Sequence, residues 1–152
     1  MKPLFCLLKH YYTASRWPEY LAPALDLALR IFLANVFIKS GLSKIQNWDS
    51  TLYLFSDVYQ VPLLPSDLAA YLASAGELGL PVLLVLGLFG RFAAAGLFIL
   101  NAVAAYSYYS GLSEAGLNQH IYWGLLLAAL LIFSSGKWSA DTWLEKIVRN
   151  HV

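Results

Sequence analysis

Charges set inside otherwise apolar stretches constrain this chain more than any other feature. Phe92 to Ser113 carries no formal charge, and Ala115 to Gly136 has His120 as its one ionisable group. Leu68 to Gly90 is interrupted by Glu77, while Tyr20 to Gly41 contains Asp26, Arg30 and Lys39. A hydrocarbon core about 30 Å thick needs about 20 helical residues, and each window is long enough. The expected fold is therefore all-α: an integral membrane four-helix bundle forming one domain over residues 1–152. Its helices run over about 20–41, 67–90, 91–112 and 118–136, followed by a tail over 137–152. The composition agrees: 59% of the residues are hydrophobic and 12% charged, against about 25% charged in an average soluble domain.

The punctuation fits this division. Pro65, Ser66 and Asp67 stop an extended stretch, with Ser66 or Asp67 expected to cap the second helix. Gly87, Gly90 and Arg91 leave only a tight turn before the third, so helices two and three form an antiparallel hairpin. Gly111 and Gly116 flank the next loop, and Gly136 ends the fourth helix. In the long first loop, Leu52, Phe55 and Tyr59 recur at helical spacing after Asp49, predicting a short interfacial helix before Pro62 and Pro65. The amino terminus lacks the apolar run and cleavage site of a signal peptide. Leu4, Phe5, Leu7 and Leu8, between Lys2 and Lys9, fit a short piece lying along the membrane. In the tail, Asp141 is expected to cap a helix over Thr142 to Val148.

Basic residues orient the bundle. Lys2, Lys9, Arg16, Arg91, Lys137, Lys146 and Arg149 fall on one side, and Lys39 and Lys44 on the other. Both termini are expected on the cytoplasmic face. The five tryptophans, Trp17, Trp48, Trp123, Trp138 and Trp143, lie near helix ends, as an aromatic belt does.

Placing each helix at its depth puts Arg30, Glu77 and Asn101 near one plane, with Asp26 one turn from Arg30. Charges at that depth face protein or water, so a shared network of Arg30, Glu77, Asp26 and Asn101 is expected. Gly76 and Gly79 flank Glu77 and admit a close neighbour. Such a network either fixes helix register or forms a polar pocket for a small molecule or a proton. A second polar group is expected at the outer mouth: Lys39, Lys44 and His120, with Gln46, Asn118, Gln119, Tyr106, Tyr108 and Tyr109 beside them. One cysteine, Cys6, excludes an internal disulfide, and three scattered histidines give no single-helix metal site. A net charge of +1 gives no field for nucleic acid.

Several segments together resemble the DoxX family. Leu29-Arg30-Ile31 followed by Phe37-Ile38-Lys39-Ser40-Gly41-Leu42-Ser43-Lys44 is similar to its first-helix signature. Pro62, Gly76-Glu77-Leu78, Leu86-Gly87-Leu88 before Arg91, and Gly136-Lys137-Trp138-Ser139-Ala140-Asp141 continue the order over roughly Leu21 to Leu144. The resemblance implies a small four-helix protein of the bacterial inner membrane. Some relatives are subunits of a thiosulfate:quinone oxidoreductase, and others are linked to oxidative-stress complexes or metal-handling gene clusters. The expected function is a membrane subunit or anchor for such a system, not catalytic on its own, contacting the lipid bilayer and a soluble or membrane oxidoreductase. The alternative is a quinone- or lipid-binding protein that relays electrons or protons. A solute transporter is the third reading and requires a homo-oligomer.

Overall fold

The computed structural model describes Tyr11, Thr13 and residues 18–133 and 138–150. The proposed amino-terminal surface piece, Arg16, Trp17, Gly136 and Lys137 lie outside the described residues. Four long helices dominate: α1 (Pro18–Gln46), α3 (Ser66–Leu86), α4 (Gly90–Ser107) and α5 (Glu114–Phe133). All four are long and apolar enough to cross a membrane, and no strand occurs among the described residues. The short α2 (Trp48–Tyr53) fills the first loop and runs into a π-helical turn over Leu54–Val58. A final helix, α6 (Ala140–Arg149), follows the bundle.

The helix ends depart from the sequence expectations for physical reasons. α1 does not stop at Gly41 but continues to Gln46, because Gly41 packs against α3, where an added Cβ would lie 2.8 Å from the Leu78 side chain. Its 29 residues span about 43 Å. Pro65, with φ −57° and ψ 142°, takes the cap position of α3, so Ser66 and Asp67 fall in its first turn. There the Asp67 charge faces the positive end of the helix dipole. The α3–α4 turn ends α3 with Gly87 at φ +64°, closed by Gly87 N–H to Leu84 O (3.2 Å) and Leu88 N–H to Leu83 O (3.1 Å). This paired closure favours glycine in the left-handed position.

Asp141 does not cap its own helix. Ser139 does, accepting from Thr142 N–H at 3.2 Å. The Asp141 carboxylate instead reaches across to the start of α4, accepting from Phe89 N–H (2.8 Å) and Gly90 N–H (2.9 Å). Asp141 N–H donates in turn to Gly87 O (3.0 Å). Three hydrogen bonds thus clip α6 to the α3–α4 turn.

A buried apolar layer joins the four long helices: Leu33 and Phe37 from α1, Leu84 from α3, Ala93, Ala94 and Leu97 from α4, and Leu127 and Leu130 from α5. A smaller cluster of Phe55, Ala69 and Ala70 seats α2 and its π-turn on α3. Gln60 N–H to Ser107 O (3.0 Å) ties the following segment to the end of α4. Outward, the long helices present Leu25, Ile31, Phe32, Leu72, Val82, Ile99, Leu125 and Ile132. Only 11% of the fourth span is buried, which leaves an apolar surface suited to lipid rather than water.

Candidate functional site

The four residues expected in one network separate into three groups. Arg30 Nη2 pairs with Asp26 Oδ2 at 2.5 Å, the i,i+4 partner on its own helix. Arg30 is 1% exposed and lies against Gly87 and Ser139 at the end carrying the α3–α4 turn. Glu77 pairs instead with Lys44, Nζ to Oε2 at 2.7 Å, towards the end carrying α2. Asn101 joins neither pair. Antiparallel packing sets these levels: Gly41 meets Leu78 and Glu77, while Arg30 meets Gly87. Arg30 and Lys44 are fourteen residues apart, about 21 Å along α1, with Leu33, Leu84, Leu97 and Leu127 between the levels. Arg30 stays within about 3 Å of the middle of α1, but α1 is longer than α3 and overruns its end, so Arg30 comes level with Gly87 at the α3–α4 turn and not with Glu77. Of the two glycines beside Glu77, Gly76 makes a close approach, an added Cβ falling 2.7 Å from Leu100, whereas Gly79 faces open space.

Lys44 and Glu77 line a cavity of about 530 Å³ between α1, α3, α4 and α5. That lies within the range of about 300–1,000 Å³ usual for small-molecule sites. Its walls are mainly apolar, from Val36, Phe37, Phe55, Ala73, Leu100 and Trp123, with polar groups at a few points. Leu72 on α3 and Ile99 on α4 line it while remaining exposed on the apolar outer surface, so its rim reaches the lipid-facing side.

The polar groups are firmly held. Lys44 Nζ also donates to Ser40 Oγ at 2.9 Å, and the Lys44 carbonyl accepts from Thr51 Oγ1 at 3.0 Å. On the other wall, Asn101 Nδ2 donates to the His120 carbonyl at 2.8 Å, while Asn101 Oδ1 lies 2.8 Å from His120 Nδ1. A carbonyl can only accept, which fixes the amide orientation. The acceptor Oδ1 then requires a proton on Nδ1, and in a neutral ring this leaves Nε2 as the lone-pair nitrogen. Gly124 leaves room for the contact, since an added Cβ would already stand 3.4 Å from Asn101 Nδ2. Tyr59 and Tyr108 meet edge to face at 5.4 Å between ring centroids and complete the polar side. Burial, then the nearby Tyr108 and Glu77, push the Tyr59 phenol above its ordinary value. It therefore stays protonated at neutral pH and is available as a donor.

Of the expected outer group, Lys44, His120 and Tyr108 line the cavity. Lys39, Gln46, Asn118, Gln119, Tyr106 and Tyr109 are exposed and do not. Trp123 also turns inward, 5.2 Å from the His120 ring and edge to face with it. Sequence reasoning did not assign Ser40, Thr51, Ser107 or Tyr59 to a site. The signal for Ser40 was its i,i+4 spacing from Lys44. Tyr59 could be placed only by the fold of the π-turn.

The DoxX family model matches residues 25–110, more than half of the chain. The chain belongs to the DoxX family. This DoxX protein is also 35% identical over 129 residues to an uncharacterized protein of Haemophilus influenzae, a match covering 80% of this chain and 83% of the relative. No solved structure matches it. Within the family match stand Asp26, Arg30, Lys44, Glu77 and Asn101. His120 and Asp141 lie beyond it, so both the Asn101–His120 contact and the α6 clip join matched helices to later segments of the chain.

Proposed function

We propose that this DoxX-family protein is a membrane subunit of a redox system that takes a lipid-soluble molecule of the quinone class into the cavity between its four long helices. The observation that carries this reading is an apolar cavity whose rim reaches the lipid-facing surface at Leu72 and Ile99, with a donor and an acceptor on its walls. The Lys44 ammonium suits a carbonyl oxygen, and His120 Nε2 suits a hydroxyl. A quinone ring in its oxidised and reduced forms offers both. The chain's own residues bind and orient such a head group, and electron transfer falls to a partner protein. The apolar layer of Leu33, Leu84, Leu97 and Leu127 favours this reading over solute transport, because it separates the Arg30 end of the bundle from the Lys44 end.

The test is binding of a short-chain benzoquinone and its quinol to the protein in nanodiscs, followed by calorimetry. Both should bind, and Asn101→Leu should weaken the quinol by up to about tenfold, the worth of one hydrogen bond to a positioned group, while circular dichroism stays unchanged. Absence of binding to the unmodified protein, or equal affinity in Asn101→Leu, would reject the cavity as the site.

The orientation we propose places both termini in the cytoplasm, as the seven-to-two distribution of basic residues directs. A phosphatase fused after Val152 should be inactive, and a fluorescent protein fused there should fluoresce. The reverse pattern overturns the assignment.

A further inference from the structure

We propose that α6 is a membrane-surface helix, clipped to the α3–α4 turn by Asp141 and lying with its apolar side in the lipid interface at that end of the bundle. At 100° per residue, Trp143, Ile147, Ala140, Leu144 and Val148 fall in one arc of about 140°. Lys146, Thr142, Arg149, Glu145 and Asp141 occupy the opposite side, and no residue of either kind is out of place. Such complete segregation, in a helix as rich in polar as in apolar residues, is the signature of a helix lying in the interface plane.

Among the described residues, the hydrogen bonds that hold the helix to the bundle lie at its beginning. Ser139 caps it, and Asp141 binds Phe89 N–H, Gly90 N–H and Gly87 O. From Trp143 to Asn150 every residue is exposed, including Trp143 at 65% and Val148 at 61%. The described residues of the chain therefore do not cover the apolar arc.

Position decides what covers it. The clip lies where α3 ends and α4 begins, beside exposed Phe89 and Phe92. That turn is the boundary of two spans, so the arc starts at the edge of the lipid-facing surface. The polar side does not point to a charged protein partner. Asp141 and Glu145 balance Lys146 and Arg149, and Arg149 Nη2 pairs with Glu145 Oε1 at 2.8 Å. The apolar arc, not charge, supplies the attraction, and uncharged phospholipid is sufficient.

The experiment uses the full chain with Cys6→Ser, a single cysteine introduced by Val148→Cys or Glu145→Cys, and a nitroxide attached to it. The protein is placed in nanodiscs of zwitterionic lipid with no other protein present. Collision rates with oxygen and with a water-soluble nickel chelate give the label's depth. The Val148 label should lie about 5–10 Å inside the interface, with oxygen collisions dominant, and the Glu145 label should report water. A lipid-facing label from Leu125→Cys gives the acyl-chain reference, and circular dichroism verifies the fold of each variant. Equal, water-like accessibility at Val148 and Glu145 overturns the proposal, as does protection at Val148 that appears only when a soluble protein is added.

Discussion

Glu77→Leu is expected to cost about 3–5 kcal/mol of stability, and adding Lys44→Met should return most of it. The single change leaves an ammonium group in a mainly apolar cavity, with Ser40 Oγ as its remaining side-chain acceptor. Neither partner of the pair is well solvated, their side chains being 18% and 10% exposed. Desolvation offsets much of the attraction between them, so an apolar pair of similar volume should be nearly neutral or stabilising. Unfolding of the two single variants and the double variant in mixed micelles closes the cycle. If the double variant loses the sum of the two single effects, the residues are not coupled. The double variant also separates structure from binding: it should fold while losing affinity for the quinone carbonyl.

Gly87→Val should be the most damaging change at the other end. The backbone there has φ +64°, which costs an L side chain about 1–2 kcal/mol. An added Cβ would lie 2.5 Å from Arg30 Nη1 and 2.8 Å from the Ser139 Cα. Arg30 is buried, and the Ser139 contact is with backbone, so the turn must move and the Asp141 clip must loosen. Overpacking adds about 1–3 kcal/mol, and the expected total is about 2–5 kcal/mol, read as loss of thermal stability in nanodiscs. Gly79→Ala is the matched control. Its Cβ meets nothing within 4 Å, and replacing a helical glycine should stabilise by up to about 1 kcal/mol. Similar effects at the two positions would contradict the packing described at Gly87.

Hydropathy made the four spans and the α3–α4 hairpin legible, because about twenty consecutive apolar residues have few alternatives. The polar pairing was much less legible. Asp26 and Arg30 are four residues apart on one helix, so their contact follows from helical geometry alone. Glu77 could have met any cation on α1, and choosing between Arg30 and Lys44 depends on how far α1 slides past α3. That offset is set by Gly41 against Leu78, a packing detail invisible to hydropathy. Asp141 shows the same limit. Its type and place suit a cap, but the helix it caps is α4, brought near only by the return of the chain. Asn101 and His120 were both singled out, yet their union depends on the rotation of α4 against α5.

The leucine layer between the polar regions has an electrical meaning. Moving one elementary charge through a membrane held at 100 mV changes its energy by about 2.3 kcal/mol. In this bundle the apolar stack of Leu33, Leu84, Leu97 and Leu127 is a low-dielectric barrier between the two ion pairs. It keeps Arg30 with Asp26 on one side and Lys44 with Glu77 on the other, about 21 Å apart along α1. Moving a charge from one pair to the other would mean crossing that layer, so the bundle is built as an insulator with a recess cut into one side.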